Sequence, residues 1–196
     1  VNPEAELLDV GCSDGLKTLT YALSISTDFI TGVDVQIAPD LLLKNFVVAN
    51  IDKDGLPFND NIFDVVTSQH VIEHVSDTDK FVAEICRVLV PGGYALIATP
   101  NLASGRVIAE LLMDKQPGIT HVSDNFIQRG DPGHEWEKSA GYLHRRLFTM
   151  EGLRSLLLYN GLTPEVEKRT GYGPFIIGEV LQGLYATNLI VKARKC

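Results

Sequence analysis

Residues 7–15 read Leu-Leu-Asp-Val-Gly-Cys-Ser-Asp-Gly, an apolar strand running into a loop pinned by Gly11 and Gly15. A strand, a tight glycine loop and a helix form the cradle in which an α/β sheet holds a nucleotide-like ligand, at the carboxyl end of its first strand. Gly11 lets the backbone turn sharply, and Gly15 admits a ligand or helix at close range. The spacing is not that of a phosphate loop, since neither G-x-x-x-x-G-K-[ST] nor G-x-G-x-x-G occurs. Asp9, just ahead of the loop, would repel a pyrophosphate and attract a cation. The stretch points to a ligand with adenosine at one end and positive charge at the other. Further on, apolar runs close on Asp34, on Asp52 and on the polar pair Ser68-Gln69. Five histidines, His70, His74, His121, His134 and His144, supply groups that titrate near neutral pH and could serve as bases.

These groups need a scaffold, and the hydrophobic pattern supplies one. Strands are expected at residues 7–10, 29–34, 46–51, 63–67 and 94–99, the fourth apolar almost throughout, as suits burial on both faces. A helix over 14–24 presents Leu16, Leu19, Ala22 and Leu23 at helical spacing. A second, over 78–89, carries Phe81, Val82, Ile85, Val88 and Leu89 on one face, with Asp77 or Thr78 as its N-cap. Asp54-Gly55-Leu56-Pro57 and Pro91-Gly92-Gly93 are turns. After residue 101 the alternation breaks into a helix over 107–115 and a long polar stretch, which we read as a lid or substrate insertion at about 102–146. A helix over 149–160 capped by Gly161, strands at 163–168 and 187–193, and an apolar helix over 175–184 complete the chain. The expectation is one α/β domain over 1–196: a Rossmann-like, doubly wound, seven-stranded, mostly parallel sheet with an antiparallel edge strand and an inserted lid of helix and loop. Ligands bind such sheets outside the strands' carboxyl ends, where the glycine loop, Asp34, Asp52 and Ser68-Gln69 all fall.

The bulk numbers agree with that picture. A chain of 196 residues, 45% hydrophobic and 21% charged, can bury a sizeable core. A net charge of −8 argues against general nucleic-acid binding, and His144-Arg145-Arg146, the one compact basic cluster, reads as a solvated face. Cys12, Cys86 and Cys196 form no C-x-x-C pair, which suits a reducing cytoplasm. No apolar run reaches the roughly 18 residues of a membrane span, and no signal peptide precedes the first strand. The sequence opens at Val1 with few residues before that strand, and we expect a further segment upstream.

The stretches LLDVGCSDG, TGVDV, NIDKDGLPFNDNIFDVV, VIEHV, FVAEICRVLVPGGYALIATPN and LFTMEGLRSLLLYNGL resemble, in order and over nearly the whole chain, the class I S-adenosylmethionine-dependent methyltransferases of the type 11, ubiquinone-biosynthesis-like group. The resemblance implies S-adenosyl-L-methionine as methyl donor and S-adenosyl-L-homocysteine as product. It places Asp9, Gly11, Cys12, Ser13 and Gly15 around the methionine end, with Asp9 near the amino group. Asp34 would accept hydrogen bonds from both ribose hydroxyls, as a carboxylate with two acceptor oxygens can. Asp52 would accept from the adenine amino group, with Ile51 and Val35 against the ring, and Ser68-Gln69 would touch the methionine portion. Ser13 stands where the family commonly has a third glycine.

In such a site the donor is already reactive, so the protein positions the acceptor and excludes water. His144, His70 and His74 are the candidate bases, and Asn101, His134, Trp136 and Tyr172, with Tyr142, the candidate acceptor contacts. His70-x-x-Glu73-His74 is similar to the metal motif of small-RNA 2′-O-methyltransferases and some polyprenyl O-methyltransferases, with His in place of the first Glu. His134 would complete that set, since two histidines and a carboxylate can hold a divalent metal. The resulting expectation is methyl transfer to O or N of a small-molecule acceptor. The alternatives are a metal-assisted RNA 2′-O-methyltransferase, which the acidic balance disfavours, a non-catalytic S-adenosylmethionine-binding module, and a nicotinamide enzyme, which the absent G-x-G-x-x-G makes poor.

Overall fold

Leu7 and Leu8 are both fully buried, and so, within 5% exposure, are Val65 and Val66. Neighbouring strand residues face opposite sides of a sheet, so a strand buried at both must be covered on both faces. The computed structural model, which describes residues 4–121, 126–127, 137–138, 143–171 and 186–196, shows how. Its elements are β1 (Leu7–Val10), α1 (Leu16–Ile25), β2 (Ile30–Asp34), β3 (Phe46–Val48), β4 (Phe63–Gln69), α2 (Thr78–Val88), β5 (Leu89–Pro100) and α3 (Gly105–Leu112). They continue with a short ribbon of β6 (Phe126–Ile127) and β7 (Glu137–Lys138), then α4 (Met150–Tyr159), β8 (Leu162–Thr170) and β9 (Asn188–Lys195). On one face, Ala22, Tyr21 and Ile25 of α1 cover Leu7 and Val65. On the other, Phe81 and Ile85 of α2 and Leu153 and Leu157 of α4 join Leu8 and Val66 in the main core.

The sheet is ordered β3-β2-β1-β4-β5-β9-β8. β1 pairs in parallel with both β2 and β4. The chain therefore runs outward through β2 and β3, returns, and proceeds the other way from β4. The loops leaving β1 and β4 diverge, and a crevice opens between them. The expected antiparallel edge is present: β9 runs against both β5 and β8, which puts the reversed strand one place in from the outermost one.

Element ends differ from the sequence expectation where local hydrogen bonds intervene. The third strand stops at Val48 because Lys53 and Asp54 donate back to the Asn50 carbonyl at 3.0 and 2.8 Å, turning 50–54 away from the sheet. The fourth extends to Gln69, so Ser68 and Gln69 are strand residues. Side chains of Asp77, Ser104 and Thr149 cap α2, α3 and α4. Arg87 on α2 fastens the loop after β3: it donates to the Leu56 and Phe58 carbonyls at 2.9 and 2.7 Å and pairs with Glu84, which accepts from the Leu56 amide. The expected helix over 175–184 and residues 122–125, 128–136 and 139–142 of the expected lid lie outside the described residues. No helix among the described residues is long and apolar enough to cross a membrane.

Candidate active site

The crevice holds a cavity of about 750 Å³, lined from β1, its loop and the ends of β2, β3 and β4. That volume lies within the roughly 300–1,000 Å³ of sites that enclose a drug-sized ligand. Asp9, Gly11, Cys12, Ser13, Asp34, Val35, Ile51, Asp52 and Gln69 all line it, as expected from their places at strand ends.

The loop after β1 is built for close approach. Gly11 and Gly15 have φ +77° and +83°, and a Cβ on Gly11 would stand 2.2 Å from Val71 Cγ2. A Cβ on Gly15 would stand 2.5 Å from Leu43 Cγ. Ser13 also takes a positive φ, +52°, which accounts for glycine being the easier residue there. Its amide donates to Asp34 Oδ2 at 2.9 Å, and the Val35 amide donates to Asp34 Oδ1 at 2.7 Å. Asp34 thus ties the loop to the end of β2 and keeps acceptor capacity on both oxygens toward the cavity.

Asp9 is 4% exposed and accepts from Thr18 Oγ1 and, at 2.7 Å, from Thr67 Oγ1. Burial raises its pKa from 3.8 to about 6, against the pull of those hydroxyls and of Lys17. An acid raised in this way costs stability as it ionises. The cost sets in as pH rises from the unfolded value toward 6 and reaches roughly 3 kcal/mol above it. A cation bound beside Asp9 would favour the ionised form, so its affinity would be full above about pH 6 and fall below it. Burial also pushes the Cys12 thiol up to about 12, so it packs and does not attack.

Asp52 carries a second duty beyond the cavity: its carboxylate accepts from the Ser76 amide at 2.9 and 3.0 Å, ahead of α2. Gln69 presents a buried Oε1 that has no donor among the described residues. An unmet acceptor on the wall of a cavity with a buried carboxylate suits a ligand bearing an ammonium group. Ser68 does not line the cavity. It is buried at 2% between β1 and β5, because strand alternation turns it away from the face that Gln69 uses.

Beside the cavity stands a polar cluster built on Glu73, which is fully buried. One oxygen accepts from His70 Nδ1 at 3.1 Å and the other from Thr99 Oγ1 at 2.9 Å. Burial raises the Glu73 pKa, but the hydrogen bonds from His70, the backbone and Thr99 win and leave it lowered, so the carboxylate is ionised. His74 Nδ1 donates to the Leu143 carbonyl at 3.1 Å, and His144 Nδ1 donates to the Ile119 carbonyl at 2.8 Å. In that tautomer each imidazole carries its proton on Nδ1 and its lone pair on Nε2. The His74 and His144 rings lie 5.0 Å apart, and donor atoms of Glu73, His74 and His144 all come within 4.8 Å of one another. Burial, more than the neighbouring charges, holds the His74 pKa below its usual value, so this ring is neutral at pH 7.

The cluster corrects the sequence expectation in several ways. His70, left-handed at φ +57°, bonds to Glu73 through Nδ1 and backs that carboxylate, so among the described residues the third donor in the group is His144. His121 is no lone surface group: its Nδ1 accepts from the His144 amide at 3.2 Å. His144 stands behind His74 and does not line the cavity, whereas His70 and His74 do. Asn101 is 1% exposed and spent on structure, donating to the Ala186 carbonyl and accepting from the Ala103 amide, so it is not placed to orient an acceptor. His134, Trp136, Tyr142 and Tyr172 lie outside the described residues. Lys17, Tyr21, Val71 and Arg145 line the cavity without having been singled out as binding residues, since nothing in their spacing distinguishes them from packing or solvated positions.

Residues 8–97 match the family described as methyltransferase domain. A glycine loop, a ribose-ready acid at the end of β2 and the reversed penultimate strand stand together in that order. Across residues 8–97 the chain matches the S-adenosylmethionine-dependent methyltransferases of the type 11 group. The ubiquinone biosynthesis O-methyltransferase of Rickettsia prowazekii is 31% identical over 141 residues, covering 63% of this chain and 53% of that protein. The human mitochondrial ubiquinone biosynthesis O-methyltransferase is 30% identical over 186 residues, covering 87% of this chain and 44% of that one. The methyltransferase domain thus spans about half the length of the curated relatives it matches. A solved S-adenosylmethionine-dependent methyltransferase of Methanosarcina mazei shares the fold with a TM-score of 0.68 at 21% identity, over 100% of this chain and 94% of its own. The cofactor of the methyltransferase domain is S-adenosylmethionine, and the Asp9, Asp34 and Gln69 acceptors suit its ammonium and ribose groups.

Proposed function

We propose that the domain transfers a methyl group to a hydroxyl oxygen of a small-molecule acceptor, with His74 on the cavity wall serving that hydroxyl and Glu73 and His144 behind it completing the polar cluster. The observation that carries this reading is the convergence of one buried carboxylate and two imidazole rings beside the cavity. Amine acceptors need only be neutral, whereas a hydroxyl gains from losing its proton. The names of the relatives, O-methyltransferases, support oxygen over nitrogen.

S-adenosylmethionine, when bound, supplies a methyl group already activated on sulfonium. Asp34 would orient the ribose, Asp52 the adenine, and Asp9 with Gln69 the ammonium end. The donor set of Glu73, His74 and His144 fits a borderline divalent cation, and the backbone carbonyls of Leu143 and Ile119 fix both rings in the tautomer that ligation needs. A divalent ion held there would lower the pKa of a hydroxyl bound to it. The second reading uses the same residues without metal: neutral His74, half-buried on the cavity wall, takes the hydroxyl proton directly and Glu73 steadies the imidazolium.

The test is methyl transfer from tritiated S-adenosylmethionine to a panel of small phenols, alcohols and amines, with products identified by mass spectrometry. Methyl ethers are the expected products. Dialysis against a chelator is expected to lower the rate more than tenfold, with recovery on adding a divalent ion. His144→Ala should do the same while leaving S-adenosylhomocysteine affinity within about twofold. Exclusive N-methylation would overturn the proposal, and a rate indifferent to chelator would assign the step to His74 as base.

A further inference from the structure

The cavity wall carries four carboxylates, from Asp9, Asp14, Asp34 and Asp52, and two cationic side chains, from Lys17 and Arg145. Lys17 is accounted for by Asp9, whose pKa its charge lowers. Arg145 is not accounted for. Its own amide donates to the Glu73 carbonyl at 2.7 Å, which pins its backbone to the polar cluster. Arg145 is exposed and lines the cavity, and its guanidinium makes no hydrogen bond or ion pair among the described residues. Arg87 pairs with Glu84 and Asp60, Arg106 with Glu110, Arg154 with Glu167 and Arg194 with Glu165, and Arg146 donates to the Ser76 carbonyl, while Arg169 stands exposed on β8, away from the cavity lining.

Position adds a direction. Asp34 and the residues after β3 lie to one side of β1, and Gln69, His70 and His74 lie to the other, as the strand order dictates. Arg145 belongs with the second group, next in sequence to His144 and beside the cluster that would receive the acceptor. The cavity thus carries Asp34 and Asp52 on the nucleoside side and Arg145 on the side of the polar cluster.

We propose that Arg145 forms an anion subsite that binds a carboxylate or phosphate group of the acceptor, so that the domain selects oxyanion-bearing acceptors over neutral ones. The inference rests on the methyltransferase reading of the cavity. A guanidinium presents a planar fork that matches either oxyanion through two parallel hydrogen bonds, and a lysine ammonium does not. In a chain of net charge −8, a guanidinium on the cavity wall offsets, close to itself, the field that would repel such an acceptor.

The experiment is a calorimetric titration of chelator-dialysed, S-adenosylhomocysteine-loaded protein with benzoate, phenyl phosphate and the neutral benzamide. Removing metal first ensures that a bound ion does not answer for the arginine. The expected result is that benzoate or phenyl phosphate binds at least tenfold more tightly than benzamide, and that the preferred anion names the source. Arg145→Gln should abolish that preference and Arg145→Lys should keep part of it, both with S-adenosylhomocysteine affinity unchanged. Equal binding of acid and amide probes, no binding of any probe, or a preference that survives in Arg145→Gln would overturn the proposal. So would a loss of S-adenosylhomocysteine affinity in Arg145→Gln, which would assign the arginine to the cofactor. Failure of the unsubstituted protein to load S-adenosylhomocysteine would instead overturn the cofactor reading beneath it.

Discussion

Replacing Asp34 by alanine is expected to weaken S-adenosylhomocysteine binding about 100-fold while shifting stability by less than about 1 kcal/mol. Two effects add. The carboxylate accepts from the Ser13 and Val35 amides at 2.9 and 2.7 Å, and without it the glycine loop loses its tie to β2. The ribose hydroxyls would lose their acceptors as well. Hydrogen bonds to a charged group contribute about 1.5–3 kcal/mol each, and every 1.4 kcal/mol is tenfold in affinity. Stability barely changes because the group sits at a strand end that water reaches. Asp34→Asn keeps one acceptor oxygen and should fall between, near tenfold. Calorimetry on the three proteins, with thermal melts, checks both halves. An Asp34→Ala protein that binds as tightly as the parent would remove Asp34 from the site.

Gly11→Val is the second large effect, and it should reach both fold and site. At φ +77° a β-branched residue is strained by about 1–2 kcal/mol, and its Cβ would meet Val71 Cγ2 at 2.2 Å. Overpacking of this kind costs a further 1–3 kcal/mol, roughly. A total near 3 kcal/mol corresponds to a fall of about 10 °C in Tm for a domain of this size. Binding of S-adenosylhomocysteine should drop below detection, because the strain is relieved by moving the loop that lines the cavity. Gly11→Ala combined with Val71→Ala removes the close contact and leaves only the dihedral strain, so it should recover part of both losses. Equal defects in the single and double variants would show that the contact with Val71 is not the cause.

The parts of the molecule legible from residue types alone were those that rest on local rules. The strands at 7–10 and 30–34 and the helix at 78–88 announce themselves through apolar runs, one amphipathic face and the cap at Asp77, and the glycine loop through its own spacing. Strand order then places Asp34, Asp52 and Gln69 on one cavity, so their convergence follows from local rules. The acceptor half depends on contacts distant in sequence. His144 meets His74 only because Leu143 and Ile119 carbonyls set both rings, and no spacing rule relates residues 74, 119 and 144. Asn101 misled for the same reason: its position after β5 faces the crevice side in outline, but the distant Ala186 carbonyl takes its amide. Arg145, taken with its neighbours as a solvated face, is held at the cavity by a hydrogen bond from its backbone amide to the carbonyl of Glu73, 72 residues earlier.

The central claim is that the crevice between β1 and β4 is an S-adenosylmethionine site whose buried Asp9 receives a cation. The most direct measurement is a calorimetric titration of the unsubstituted protein with S-adenosylhomocysteine and, separately, with NAD, at pH 8 and at pH 5. The account predicts one site for S-adenosylhomocysteine at pH 8, weaker binding at pH 5 as Asp9 gains its proton with a pKa of about 6, and no heat from NAD at either pH. Absence of S-adenosylhomocysteine binding at both pH values, or equal binding of NAD, would contradict it.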